Sequence, residues 1–365
     1  MTVEQLMDLF PEEACSNIRD SIRKLHANLM FRSERAAVGI SGGSDSDVML
    51  DMIEALEPKR NYPHATIHYA WFNTGMEYSA TKSHLDDLEA KYGITIERRR
   101  AKMPVPVGCK THGLPFLSKQ VANYIGRLQA HGFRWEDEPF DVLCARYPDC
   151  KAALRFWCNE WGEDSRINIS NYRLLKEFMI ANPPTFLISD KCCNGAKKDV
   201  AHDCLRELNA TINIVGVRQA EGGVRATSVT SCFSEPSRRG EAAQFRPLFF
   251  MTDQDKEIYC ERREVTHSDL YCKYGFCRTG CACCPFGSRF EKELIVTEWI
   301  DPGLAILAKR IFGPAYEYTR AYRRFKVQHD VEKKEDPDQY RMWDEEGKEI
   351  EEAQLPEVRG RTGTA

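Results

Sequence analysis

AAVGISGGSDSDVMLDMIEAL (36–56) decides the fold. Its first six residues are an apolar, strand-like run, and Val48, Met49, Met52, Ile53 and Leu56 then recur at helical spacing, with two glycines and a serine-aspartate cluster between. Downstream, ATIHYAWF (65–72) is the next strand. SATKSHLDDLEAKYG (79–93) reads as an amphipathic helix with Gly93 as its C-cap, and ITIE (94–97) resumes strand character. Strand and helix in alternation predict a parallel α/β sheet with right-handed crossovers. TFLIS (185–189) and TINIVGV (211–217) read as returning strands, with KKDVAHDCLRELN (197–209) as the helix between them.

Residues 103–183 break this rhythm. They are Pro-rich at MPVPVG, then aromatic and helix-like through VANYIGRLQAHGFRWEDEPFDVL and NYRLLKEFMIA, which predicts a helical insertion. The expected organisation is an N-terminal helical segment (1–35), a nucleotide-binding half of the core (36–102), the insertion (103–183), and a second half carrying a cysteine cluster (184–290). C-terminal helices (291–330) and an exposed acidic tail (331–365) complete it. Residues 331–354 hold ten acidic side chains against four basic ones.

The 365 residues, 42% apolar, suffice for a sizeable core. No apolar run approaches the roughly 20 residues of a membrane span, and MTVEQLMDLFPEEAC lacks the order of a signal peptide, so the expected location is cytoplasmic with no membrane partner. A net charge of −4 gives no whole-chain case for a polyanion partner, although ERRRAK (97–102) and TRAYRRFK (319–326) are locally basic.

In a parallel sheet, ligands collect beyond the carboxyl ends of the strands, where a helix N-terminus offers free N–H groups and a favourable dipole to anions. SGGSDS stands at that place. Gly42 and Gly43 let backbone approach phosphate oxygens, Ser41, Ser44 and Ser46 can donate hydrogen bonds, and Asp45 can hold Mg²⁺ between phosphates. The turn has no lysine of the GxxxxGK[ST] kind. The same residues would also serve an ordinary glycine turn with a serine or aspartate cap.

Fifteen cysteines in a chain without a secretion signal point to thiols or metal ligands rather than a disulfide framework. Adjacent or CxxC cysteines supply thiolates in pairs, so Cys192, Cys193, Cys281 and Cys284 make up the four that an iron–sulfur cubane needs. Cys272, Cys277, Cys281 and Cys284 are the alternative, a local zinc set that leaves the Cys192-Cys193 pair unexplained. Cys15, Cys109, Cys144, Cys150, Cys158, Cys204, Cys232 and Cys260 read as small buried apolar residues.

The turn SGG-x-DS (41–46) after a first apolar strand resembles the PP-loop of the adenine nucleotide α-hydrolases, ATP pyrophosphatases that cut ATP between its α and β phosphates. Further elements narrow the likeness to the phosphoadenosine phosphosulfate (PAPS) reductase family. FNTGMEYSAT (72–81) is similar to its DTG-x-x-(F/Y)-x-x-T stretch, with Asn73 in place of the usual aspartate ahead of Thr74 and Gly75. KCCNGAKK (191–198) is similar to its CC-x-x-x-K element and GVRQAEGGVRA (216–226) to its substrate-anion segment. RPLFFMTDQDKEIY (246–259) is similar to its PL-x-x-x-T-x-x-D element, and GCACCPFG (280–287) completes the set. The resemblance implies a HUP-like α/β core and the iron–sulfur branch, in which a CC pair and a distant CxxC pair ligate a [4Fe–4S] centre; here Cys193 and Cys281 are 88 positions apart. It also implies substrate roles for Lys197, near cluster and substrate anion, and for Arg218 and Arg225 as a phosphate or sulfate clamp.

Conventional sulfonucleotide reductases attack with a cysteine on a C-terminal tail, and this chain has none after Cys284. Asp45 and Ser46 occupy the positions of an ATP-cleaving loop. The leading expectation is therefore an iron–sulfur ATP pyrophosphatase that adenylylates its substrate, with Mg²⁺, for sulfur transfer from a donor protein. Two alternatives stand beside it. One is a reductase of PAPS or adenylyl sulfate with a relocated thiol and a thioredoxin-like reductant; the other is a nucleotide-binding regulatory protein with a structural cluster. The acceptor, nucleic acid included, and a homo-oligomeric state are left open.

Overall fold

The computed structural model describes residues 1–163, 165–221, 230–236, 238 and 241–334. Among the described residues six strands, β1 (Arg35–Gly39), β2 (Thr66–Asn73), β3 (Ile96–Arg100), β4 (Ile212–Val215), β5 (Phe233–Ser234) and β6 (Ala243–Phe245), form one sheet in the order β3-β2-β1-β4-β6-β5. The first five of these positions run parallel, with Val38 in register with Tyr69 on one side and Ile214 on the other, and only β5 is antiparallel, on β6. The chain winds outward from β1 through β2 to β3, then returns to the other side of β1 as β4. The strand order thus reverses between β1 and β4, the topological switch point at which open α/β sheets bind ligands.

The helices in chain order are α1 (Val3–Asp8), α2 (Ser16–Phe31), α3 (Ser44–Ala55), α4 (Pro58–Asn61), α5 (Ser79–Tyr92), α6 (Val105–His112), α7 (Lys119–Ala130), α8 (Phe140–Arg146), α9 (Lys151–Trp157), α10 (Leu175–Ala181), α11 (Asp199–Glu207), α12 (Asp253–Arg263), α13 (Asp269–Cys272), α14 (Phe290–Ile300) and α15 (Pro302–Lys334). Helix α3 is buried nearly all round: Val48, Met49, Leu50, Met52 and Ile53 are fully enclosed with Val38, Tyr69 and Ile214 in the core under the sheet. Each such side chain stabilises the fold by about 1.5–3 kcal/mol, which pins the loop at the head of α3. Gly93 ends α5 at φ 62°, as its sequence position predicts.

A second core is built by the insertion. Phe116, Ile125, Leu154, Trp157 and Phe178 pack together, and Tyr322 of α15 closes over them. A third lies at the carboxyl edge of the sheet, where Met76, Cys109, Cys192, Ala196, Cys283, Phe290, Phe312 and Tyr316 meet.

Two expectations change, and one is sharpened. TFLIS is not a strand of the sheet; only Ile188 pairs, in an isolated bridge with Leu114, because its neighbours serve the insertion's core instead. MPVPVG opens helix α6, with Pro104 as N-cap and Pro106 in its first turn, where a missing N–H costs nothing. Residues 331–334, assigned to the tail, continue α15, and 335–365 lie outside the described residues.

Candidate functional site

The turn after β1 is held open by its own hydroxyls. Ser46 Oγ donates to the Gly43 carbonyl (2.9 Å) and lies 3.2 Å from Ser41 Oγ, which accepts from the Gly43 N–H at 3.2 Å. Gly42 has φ 68°, and a Cβ there would meet Thr81 Cγ2 at 2.8 Å, so α5 closes on the turn. Helix α3 begins at Ser44 with Gly43 as N-cap and no capping bond from that residue. Tyr271, whose hydroxyl is 2.9 Å from Thr279 Oγ1, stands over Gly43. From the other side of the switch point Gly216 approaches so closely that a Cβ would lie 2.9 Å from the Asp45 carbonyl oxygen.

Two cations converge on this turn. Asp45 Oδ1 accepts from Arg218 Nε (3.0 Å) and from Lys256 Nζ (2.8 Å), and Lys256 also donates to Ser44 Oγ at 2.7 Å. Arg218 is buried, with Nη2 2.8 Å from Asp253. Two cations beside a helix N-terminus are groups suited to an anion, and here Asp45 and Asp253 balance their charge. The sequence places Arg218 in an anion role. It does not single out Lys256, which becomes visible only when α12 is laid alongside α3. Arg225 lies outside the described residues.

Strand β2 ends one strand over. Asn73 Oδ1 accepts from the Gly75 N–H at 2.9 Å, and Thr74 Oγ1 donates to Glu77 Oε1 at 2.6 Å. Cys281 Sγ donates to Thr74 Oγ1 at 3.5 Å, which ties the cysteine-rich segment to the sheet edge that carries the turn. Cys192 and Cys193 open a helix whose next residues, Asn194–Lys198, form a π turn, with Gly195 and Ala196 buried and the Lys197 side chain exposed. Gly108 of α6 packs against Cys192, with room for a Cβ only 3.1 Å from its Cα.

Cys193, Cys281 and Cys284 share an electrostatic neighbourhood with Lys197, and Cys192 joins it through Cys193 and Cys284. The Cys109 thiol beside Cys192, together with burial, pushes the Cys192 thiol up. Cys192 and burial do the same to Cys193, and burial raises Cys281 and Cys284, against the pull of Lys197. Lys197 is raised by Cys281 above all, with Glu77, Cys193 and Cys284 adding to it, against the effect of burial. Buried thiols so crowded resist becoming thiolates together without a compensating cationic centre. The donor set fits a cubane in kind and number, although among the described residues no three His, Cys, Asp or Glu side chains converge as they stand on one metal position. Of the alternative zinc set, Cys272 and Cys277 are exposed, with Cys277 accepting from Arg289 at 3.1 Å, while Cys281 and Cys284 are partly buried. Cys283 turns away at φ 53°, its thiol donating to Thr297 at 3.3 Å.

The family model described as "Phosphoadenosine phosphosulfate reductase domain" matches residues 163–286, which take in Cys192, Cys193, Lys197, Arg218, Lys256, Cys281 and Cys284. Over this span the chain is similar to the phosphoadenosine phosphosulfate reductase family. The matched span is less than half of the chain and does not reach the turn at 41–46. Among solved structures, similarity extends to the phosphoadenylyl-sulfate reductase of Candida auris in its phosphate complex, at 13% identity and TM-score 0.37 over 69% of this chain and 83% of that one. It extends also to the U34-tRNA thiolase NcsA of Methanococcus maripaludis with its [4Fe-4S] cluster, at 14% identity and TM-score 0.36 over 85% of this chain and 80% of that one. No curated protein matches the sequence. No helix among the described residues is long and apolar enough to cross a membrane.

Of the cysteines read as small buried apolar residues, Cys109 is buried in the third core and Cys260 is only partly buried, and each has a polar neighbour. Cys109 sits beside Cys192, and Cys260 lies 3.5 Å from His267 Nε2. Neither is marked by any local motif, because each partner comes from a distant part of the chain or from beyond the end of a helix.

Proposed function

We propose that this protein cleaves an adenine nucleotide, ATP, to AMP and pyrophosphate in order to activate a substrate for sulfur transfer. The observation that carries this reading is the convergence of Arg218 and Lys256 on Asp45 at the head of α3, at the switch point of the sheet. Asp45 and Asp253 together balance the charge of the two cations. When the phosphates enter, Arg218 and Lys256 exchange the Asp45 carboxylate for phosphate oxygens, and Asp45 becomes free to ligate Mg²⁺. A substrate oxygen attacks the α-phosphorus and the bond to the β-phosphate breaks. The charge that develops on the departing pyrophosphate falls on the amides of the 42–46 turn, on Lys256 and on Arg218. A sulfur nucleophile then displaces AMP from the activated atom. Asn73, Thr74 and Gly75, at the end of the neighbouring strand, line the nucleotide's side of the site.

Cys192, Cys193, Cys281 and Cys284 would hold a [4Fe–4S] cluster, which supplies a fixed centre of charge beside the substrate site. Lys197 interacts electrostatically with Cys281, Cys193 and Cys284 and with Glu77, and would supply a cation for a substrate anion. A protein donor of sulfur is the expected partner.

The test is anaerobic incubation of the iron-loaded protein with Mg²⁺ and either ATP or PAPS. AMP and pyrophosphate from ATP are expected. ADP and phosphate would overturn the assignment, and sulfite from PAPS would move the protein to the reductase reading.

A further inference from the structure

Asp47, one turn into α3, is fully buried, and its carboxylate is flanked by two imidazoles. His267 Nδ1 is 2.8 Å from Asp47 Oδ2, and His84 Nε2 is 3.1 Å from Oδ1 without the alignment of a hydrogen bond. The second nitrogen of His267, Nε2, lies 3.5 Å from Cys260 Sγ, within reach for the larger sulfur atom. Cys260, His267 and Asp47 therefore form an unbroken chain of thiol, imidazole and carboxylate. With Nδ1–H donating to Asp47, the Nε2 lone pair faces the Cys260 thiol. Asp47 sets that tautomer, as an orienting group does in nucleophile–base–carboxylate sites generally.

The position of this chain matters as much as its geometry. Cys260 lies on α12 one helical turn after Lys256, which itself touches Ser44 and Asp45, so the thiol sits beside the proposed nucleotide site. It is partly exposed, in contrast to Asp47. Burial holds the thiol up at about 11, with Lys256 acting against it and Asp47, Asp51 and Asp45 adding to it. A thiol in that state reacts only when a base removes its proton during attack, which is the task the facing imidazole can perform.

We propose that Cys260 is the point at which this protein accepts sulfur, with His267 as its general base and Asp47 as the positioning residue. The inference rests on the sulfur-transfer reading above and names the class of co-substrate: a persulfide, R–S–SH, on a donor protein or small thiol. Cys260 Sγ attacks the outer sulfur as its proton passes to His267 Nε2. The S–S bond of the donor breaks, and the departing R–S⁻ takes up a proton. Cys260–SH and R–S–SH thus become Cys260–S–SH and R–SH, with no net oxidation. The sulfur is then carried one helical turn from the nucleotide.

The probe is glutathione persulfide, applied anaerobically to the full-length protein, followed by blocking of thiols and peptide mass analysis. The persulfide is expected first on Cys260, ahead of the exposed Cys272 and Cys277, and His267→Gln should slow its appearance about a hundredfold. Labelling of Cys272 is expected to be unchanged in that variant, which also controls for folding. For Asp47, the ¹⁵N spectrum of histidine-labelled protein should show His267 changing tautomer in Asp47→Asn, a change that a purely structural role would not produce. Equal labelling of all exposed thiols, or an unchanged rate in His267→Gln, overturns the inference. AMP formation by the wild-type protein is measured separately, so that a chain that cleaves ATP without loading Cys260 refutes this inference alone, and one that loads Cys260 without cleaving ATP refutes the nucleotide reading alone.

Discussion

At the scale of single residues, Asp45 carries the most chemistry for its size. It accepts from two cations and is the proposed Mg²⁺ ligand once phosphates take its place on them. Asp45→Ala should abolish Mg²⁺-dependent release of AMP and leave iron content unchanged, because the turn and the cysteines are separate elements; loss of iron together with activity would show that they are not. Lys256→Ala removes one charge-assisted hydrogen bond to the phosphates, worth about 1.5–3 kcal/mol, so the KM for MgATP should rise by one to two orders of magnitude. An unchanged KM would remove Lys256 from the site. Asp45 could be read from the turn it sits in, whereas Lys256 is one lysine in a charged helix until α12 is seen against α3.

At the scale of elements, α12 runs alongside α3 and reads its acidic face. Lys256 meets Asp45, while Tyr259 and Arg263 meet Asp51 at 2.9 and 3.0 Å. On the other side of α3, the residue after β4 is Gly216, where a Cβ would press on the Asp45 backbone. Gly216→Ala must therefore push the turn aside, and a loss of about 1–3 kcal/mol of stability is expected, visible as a lower Tm and weaker nucleotide binding together. A wild-type Tm in this variant would mean that strand and turn are not in contact. Helix α14 supplies a pH test. Burial pushes the Glu293 carboxyl up to about 7, against the pull of Arg278. A carboxyl raised in the folded state contributes full stability below its ordinary 4.5, and that contribution is lost as pH rises from there through about 7. Glu293→Gln, neutral throughout, should match the wild type at pH 4 and be more stable at pH 8 by about 1–3 kcal/mol. Equal melting temperatures at pH 8 would show that Glu293 ionises as freely in the fold as out of it.

At the scale of the whole molecule, the third core joins the sheet edge, α6, the π turn and the two C-terminal helices through Cys109, Cys192, Cys283, Phe290 and Tyr316. A cluster held by Cys192, Cys193, Cys281 and Cys284 would link segments that meet only there, so metal binding and folding should be coupled. Iron chelation under anaerobic conditions is expected to lower Tm, and Cys192→Ser to lose iron and destabilise the fold rather than leave an open, active iron. Cys272→Ser, at an exposed site, should keep both iron and Tm. Full iron in Cys192→Ser would refute the ligand set.

The alternation of apolar runs determined by itself that β1, β2, β3 and β4 would be strands with α3 and α5 between them, because period-2 and period-3.6 burial are local properties of the chain. The SGGSDS turn and the paired cysteines were equally legible, since their chemistry lies in contiguous residues. TFLIS shows the limit: a strand-like composition lost to the insertion, whose core took its side chains. β5 and β6 are too short to leave a period. What only the tertiary structure decided is which charges and thiols meet. Lys256 reaches Asp45 across 211 positions, and Asp47 reaches His267 across 220. Such partners are chosen by the parallel packing on α3 of α12 and the segment that follows it, and no property of either sequence segment alone encodes the other.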